Sequence, residues 1–185
     1  MKKNSLIYLY GALIIFAGVF LLFSHSYSFN TVKITLGITL TIGAIFSFLT
    51  ALSRKRKQVQ FAYHEMHALA MVVYGVSVLA FCNSLETLMF FSSFLFLFYA
   101  LSEIIFCHWL FNLGRKVLYK TVFVRFILGL LIGIGVVIIR YYPHLNKEID
   151  LEGFGFLFIV VGVNILLYVP IMKKTELNGV SNWVS

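Results

Sequence analysis

Six long apolar runs, separated by short polar segments, account for most of the chain. Each run has about 19–24 residues, enough at 1.5 Å per residue to cross a ~30 Å hydrocarbon layer as an α-helix. The runs are apolar on every side, as lipid-facing helices are, and lack the alternation of a transmembrane β-strand. The pattern predicts an all-α, polytopic membrane protein with six transmembrane helices, at about 5–23, 34–53, 61–82, 88–111, 121–140 and 153–172.

Composition agrees with lipid as the surrounding solvent. Of the 185 residues, 61% are hydrophobic and 12% are charged, whereas soluble domains have about 45–50% and 25%. We expect a single transmembrane domain over residues 1–172 and a short cytoplasmic tail at 173–185. The first run is too long for the apolar part of a signal peptide and is interpreted as a retained helix.

The basic residues predict how the helices are oriented. Of the 15 Lys and Arg residues, 12 lie on one side of the predicted membrane and 3 on the other. The 12 lie before run one, between runs two and three, between runs four and five or just inside run five, and after run six. The positive-inside rule then places both termini in the cytoplasm, in a multi-pass protein of the cell (inner) membrane. The net charge of +8 indicates contact with anionic lipid headgroups rather than with nucleic acid, because these residues form short clusters between apolar runs.

An internal repeat pairs the six runs into three hairpins, at about 5–53, 61–111 and 121–172. Similar segments start at glycines spaced by 57 and 60 residues: "GVFLLFSHS" at Gly18, "GVSVLAFCN" at Gly75 and "GVVIIRYYP" at Gly135. Small residues recur late in the second helices, at Gly43, Ala100 and Gly162. "GLLIG" adds a G-x-x-x-G step at Gly129 and Gly133. Such a period predicts three two-helix repeats whose glycines allow close helix packing, within the chain or between subunits.

The segments "YGALIIFAGVFLLF", "TIGAIFSF", "YGVSVLAF", "ALSEI", "ILGLLIGIGVVII" and "VVGVNILL" make the chain similar to the HdeD-like small membrane proteins. The resemblance covers residues ~5–172. It implies three tandem two-helix units and a role in acid resistance, and it supplies no catalytic residues.

Ionisable residues inside the predicted helices form a candidate intramembrane cluster of Glu65, His67, Glu103 and Arg125, and His64 is expected at the edge of its helix. Burying such groups costs about 2.5–3.5 kcal/mol each on insertion scales, and all four lie in the same half of the membrane. We expect Arg125 to pair with Glu103 or Glu65, because a guanidinium suits a carboxylate; the other acid would bond His67, Tyr63 or Tyr99. Three interpretations remain open: a packing device, snorkelling to the headgroups, or a proton-sensing or proton-conducting site.

Other polar residues suggest little chemistry. Asn164, near the middle of run six, is expected to bond a neighbouring helix. "HEMH" spaces its histidines three apart with no third ligand fixed by spacing, so neither a metal nor another cofactor is predicted. Cys82 and Cys107 fall at opposite membrane faces, too far apart for a disulfide.

These observations favour a small non-enzymatic integral membrane protein of stress or acid resistance, acting as a homo-oligomer or with other envelope proteins. The alternative is a small proton-linked transporter or channel that uses the Glu/His/Arg cluster. We find no nucleophile–base pair, phosphate-binding loop or metal set in the sequence, and therefore predict no enzyme activity.

Overall fold

The computed structural model describes residues 5–53, 58–112, 119–141 and 147–170, and their side chains except at 53, 58–62, 141 and 147–150. Most of the chain in these ranges is α-helical; short connections lie at 23–28, which include a 3₁₀ turn at Ser24–Ser26, and at 82–84. The helices are α1 Ser5–Leu22, α2 Phe29–Ser53, α3 Gln58–Phe81, α4 Leu85–Asn112, α5 Tyr119–Tyr141 and α6 Lys147–Leu166.

Within the described residues, six helices are long and apolar enough to cross a membrane, which confirms the prediction of a helical chain with six candidate spans. Their outer surfaces carry large apolar side chains; Phe81 and Ile105, for example, are each 67% exposed. Soluble monomeric proteins rarely expose such large apolar patches to water, whereas contact between apolar side chains and lipid carries no such penalty. The basic segment at 54–57 and the predicted tail at 173–185 lie outside the described residues.

α2 to α6 all begin two to six residues earlier than the apolar runs predict, and serine caps explain the starts of α2 and α4. α2 starts at Phe29 instead of 34, because the Ser28 hydroxyl accepts the Thr31 N–H at 3.3 Å and bonds its hydroxyl at 2.9 Å. Ahead of α4, Ser84 makes the same two bonds to Thr87, at 3.2 and 2.9 Å. A serine that satisfies a free N–H group of the first turn starts a helix regardless of hydrophobicity, so the polar first turns were missed.

Successive helices are neighbours, and α1 closes the bundle against α6. The most extensive contacts join α2 to α3 and α1 to α6, followed by α4 and α5, whereas α5–α6 and α3–α4 contact one another less. The tightest interfaces therefore lie mainly between the predicted hairpins rather than within them. We call the end where α1, α3 and α5 begin the proximal end, and the opposite end the distal end.

Paired glycines bring α1 and α6 into backbone contact. A Cβ on Gly18 would lie 2.6 Å from the carbonyl oxygen of Gly155, and one on Gly162 would lie 2.9 Å from that of Gly11. The residue order shows that the two helices run antiparallel. Lipid tails are as apolar as the helix surfaces, so there is no hydrophobic driving force between helices. Close van der Waals packing of this kind stabilises their association instead.

The other predicted glycines divide into two groups. A Cβ on Gly75 would lie 3.0 Å from the Gly37 carbonyl oxygen, and one on Gly135 would lie 2.8 Å from Leu157. Gly43 and Gly133 make no such close approach within the chain, since the nearest neighbours of an added Cβ would lie at ordinary contact distances, 3.7 and 3.6 Å. A methyl group would fit at both.

We expect Gly18→Ala to lower the free energy of unfolding by about 1–3 kcal/mol, because its Cβ meets backbone atoms that cannot move aside. Gly43→Ala is the matched control. It makes the same chemical change inside a helix, where the added Cβ would meet no atom closer than 3.7 Å, so it should not lower the free energy of unfolding. Unfolding in mixed detergent micelles, followed by circular dichroism, measures both; equal losses would contradict this account of the α1–α6 contact.

Candidate functional site

A buried ion pair joins α4 to α5 in the proximal half of the bundle. The side chains of Glu103 and Arg125 are both 0% exposed. Arg125 donates from Nε to Oε1 of Glu103 and from Nη2 to Oε2, each at 2.8 Å. This is the bidentate arrangement in which a planar guanidinium matches a carboxylate best.

Two further side chains complete the hydrogen bonding of the carboxylate. The Tyr63 hydroxyl on α3 donates to Oε2 of Glu103 and accepts from Nη2 of Arg125 at 2.7 Å. The Cys107 thiol, one turn along α4, donates to Oε1 at 3.3 Å. Each carboxylate oxygen thus accepts two hydrogen bonds, which uses the capacity of an ionised carboxylate.

Aromatic rings surround the guanidinium. Its Cζ lies 5.6 Å from the ring centroid of Tyr63, 5.3 Å from that of Phe106 and 5.2 Å from that of Tyr168. Such distances are typical of cation–π contacts, which strengthen where water is excluded. On α5, Gly129 follows Arg125 by one turn and leaves room for Glu103, whose Cγ would lie 3.1 Å from a Cβ there.

His67, which is also buried, makes a second set of hydrogen bonds beside the ion pair. Together the two sets form a polar network, and we call the set around His67 its neutral branch. The Nε2 atom of His67 lies 2.9 Å from the Ser102 hydroxyl, which donates to the Tyr99 carbonyl oxygen at 2.8 Å. Because that hydroxyl has one proton, it accepts from Nε2–H of His67. The Nδ1 atom then accepts from the Tyr10 hydroxyl at 3.3 Å. This pattern fits the neutral Nε2–H tautomer and ties α1, α3 and α4 together.

Glu65 does not join this cluster. Its side chain is exposed, whereas Tyr63 and His67 on the same helix are buried. Tyr63 and His67 are four residues apart and share the inward face; Glu65 lies between them and points away. The alternative pairing of Arg125 with Glu65 is therefore wrong, and Glu103 is the partner.

Two residues near the cluster have clear structural roles. His64, expected at the edge of its helix, is buried, with its ring 4.7 Å from that of Tyr168 and its carbonyl oxygen accepting from Ser47 at 2.9 Å. Asn164 of α6 donates from Nδ2 to the Tyr99 hydroxyl of α4 at 3.1 Å. The contacts of His64 with Tyr168 and of Asn164 with Tyr99 link segments that are distant in sequence, whereas Ser47 and His64 join the consecutive helices α2 and α3.

Sequence reasoning missed Tyr10, Ser102 and the thiol of Cys107 as parts of this network. The repeat contained a signal for Tyr10. The 57-residue spacing between Gly18 and Gly75 also separates Tyr10 from His67, so the two residues occupy equivalent positions in the first two predicted repeats. Ser102 and Cys107 have no such signal, since small polar residues are common in membrane helices.

The site offers little room for a ligand. A cavity of about 20 Å³ lies beside Tyr10, His67 and Tyr99, a volume that holds roughly one water molecule. Within the part of the chain that the structure describes, no three His, Cys, Asp or Glu side chains converge to hold a metal ion. The arrangement is suited to holding the charges of Glu103 and Arg125 in fixed positions.

Comparison with protein-family models, with curated proteins and with solved structures finds no match to this chain. The assignment of a role therefore rests on the sequence and on the geometry above.

We expect Glu103→Gln to lower the free energy of unfolding by about 3–5 kcal/mol, because Arg125 would keep its charge in the core without a counter-charge. Glu65→Gln makes the same change on the same half of the bundle at an exposed position, and should shift stability by no more than about 0.5 kcal/mol. Denaturant titration in detergent micelles measures both.

The double variant Glu103→Leu with Arg125→Met should be more stable than either single variant, since it leaves no buried charge unpaired. Additive losses in that cycle would show that the two side chains do not act as a pair.

Proposed function

We propose that this protein is a small, non-enzymatic integral membrane protein that contributes to stress or acid tolerance in the cell envelope. One observation carries the non-enzymatic part of the proposal: the hydrogen-bonding capacity of Glu103 is used within the protein, by Arg125, Tyr63 and Cys107. A group that is satisfied in this way stabilises helix packing and is poorly placed to receive a substrate. The resemblance to the HdeD-like proteins supplies the expected physiological role.

The distribution of buried charge also favours this proposal over a conducting protein. In the described part of the chain, the buried acidic, basic and histidine side chains are His64, His67, Glu103 and Arg125, all in the proximal half. Towards the distal end, the rings of Phe154 and Phe158 lie against Phe96, with centroids 5.8 and 4.5 Å away. The hydroxyls of Tyr74 and Ser92, 2.8 Å apart, lie beside these rings. A proton path through this half of the bundle would therefore rely on neutral hydroxyls, without a buried carboxylate, histidine or basic side chain among the described residues.

A proton-linked transporter is the second candidate, and the hydrogen-bonded series Tyr10–His67–Ser102 is the observation that favours it. Histidine is the side chain that titrates closest to neutral pH, and it lies here beside an ion pair. In this alternative, the proximal cluster would exchange protons with the cytoplasm during a conformational change.

Orientation and repeat structure are part of the same proposal. The serine cap recurs at Ser28 and Ser84, at matching places in the first two of three proposed two-helix repeats. The excess of Lys and Arg supports a cytoplasmic proximal end with both termini in the cytoplasm of the inner membrane. The partners proposed are anionic lipid headgroups and a second copy of the chain or other envelope proteins.

Two asparagines at opposite ends of α4 provide a matched test of orientation. Asn83 and Asn112 are both exposed, and each can be changed to cysteine in a background with Cys82 and Cys107 replaced by alanine. We expect a membrane-impermeant maleimide added to whole cells to label Asn83→Cys and to spare Asn112→Cys until the cells are opened. Labelling with the opposite preference would invert the proposed orientation.

Function is tested by survival and by flux. We expect deletion to reduce survival in acid, and restored expression to recover it. Purified protein in vesicles should show no proton flux above that of empty vesicles between about pH 4 and pH 7. Unchanged survival after deletion would reject the stress role, whereas flux abolished by His67→Phe and retained by Glu65→Gln would establish the transporter instead.

A further inference from the structure

A deep groove separates α3 from α4 on the surface of the bundle. Its volume is about 310 Å³. We call it the α3–α4 groove; its walls are Leu69, Ala70 and Val73 on α3 and Phe91, Phe94 and Phe98 on α4. Tyr74, Ser77 and Leu95 complete the lining.

The groove opens directly onto the lipid-facing surface. It lies within the candidate spans Tyr63–Phe81 and Leu85–Asn112. Leu69 is 64% exposed and Phe94 is 59% exposed, so the rims belong to the same apolar surface that faces hydrocarbon. A space of this size among apolar side chains would not hold water, whereas a hydrocarbon chain fills it without exposing a polar group.

We propose that the α3–α4 groove binds one acyl chain of an anionic membrane lipid whose phosphate is held by Arg140. The groove, at about 310 Å³, is far larger than the cavity of about 20 Å³ beside His67. From Leu69 to Ser77, α3 rises about 12 Å along the groove, so the groove accommodates one extended segment.

Arg140 supplies the site for the headgroup. It lies near the distal end of α5, is exposed, and has its Cζ 5.8 Å from the ring centroid of Phe90. That ring lies 5.9 Å from Phe91 and 4.8 Å from Phe94, both of which form the groove wall. The cation is thus joined to the groove through one layer of aromatic rings. A guanidinium binds phosphate oxygens with two parallel hydrogen bonds.

The direction of the chain follows from these positions. With the phosphate at the distal end, the acyl chain would run past Phe91 and Phe94 towards Leu69 and Phe98. There the groove meets the small cavity beside His67, since Ala70, Leu95 and Phe98 line both. Ala70, Leu95 and Phe98 lie between the two spaces, so a bound lipid chain would end close to the hydrogen bonds of His67.

Photo-crosslinking in vesicles tests the site in the unmodified protein. The vesicles contain phosphatidylcholine and phosphatidylglycerol, with a trace of phosphatidylglycerol carrying a diazirine on one acyl chain. We expect label on Leu69, Val73 and Phe94 to exceed label on Ile34 and Ile45, which are similarly exposed on α2. Equal label at the two sets of positions would overturn the proposal, because it would show ordinary contact with bulk lipid only.

Two substitutions separate the chain from the headgroup. Ala70→Trp should remove the excess label by filling the groove, whereas Ala80→Trp, on an exposed position of the same helix outside the groove, should retain it. Arg140→Gln should reduce the preference for phosphatidylglycerol over phosphatidylcholine by about fivefold. Retained excess label in a folded, monodisperse Ala70→Trp protein, or an unchanged lipid preference in Arg140→Gln, would overturn the corresponding part of the proposal.

Discussion

A charge inside a bilayer needs its counter-charge within the protein, and the Glu103–Arg125 pair is the contact on which this bundle depends. Each group alone would cost about 2.5–3.5 kcal/mol to insert. Together they form a bidentate pair, and Tyr63 bonds to both. This requirement fixes α3, α4 and α5 at the proximal end more precisely than apolar contacts do, since a slide or rotation of one helix would leave a buried donor or acceptor without a partner.

The remaining interfaces rely on a different constraint. Lipid is as apolar as the helix surfaces, so association depends on how closely the backbones approach. Gly18 with Gly155 and Gly11 with Gly162 join the first helix to the last, which closes the bundle. The α4–α5 interface combines both devices, because Gly129 provides the space that the side chain of Glu103 occupies. Small residues here serve a polar contact as well as a backbone contact.

The six helices could be predicted because the length of an apolar run depends on membrane thickness and not on which helix lies beside it. The helix starts at Phe29 and Leu85 could not, because they are set by serine caps in polar segments. The ion-pair partner was ambiguous for a related reason. A helix that is apolar all round has no hydrophobic face to show which side points inward, so Glu65 and Glu103 looked equivalent. Only the inward positions of Tyr63 and His67 distinguish them.

The same two constraints explain why α3 and α4 lie apart at their distal halves. Between Ala70–Ser77 of α3 and Phe91–Phe98 of α4, the hydroxyls of Tyr74 and Ser92 lie 2.8 Å apart in a buried hydrogen bond. Neither a glycine backbone contact nor an ion pair acts there, and the bulky Phe94 and Phe98 side chains occupy the rim. In a water-soluble protein, hydrophobic collapse would close such a gap. In a membrane, lipid can fill it at no cost in exposed apolar surface. Among helices adjacent in sequence, α3 and α4 make the least extensive contact. A lipid chain is therefore best able to complete this interface, and its inner wall also lines the small cavity beside His67.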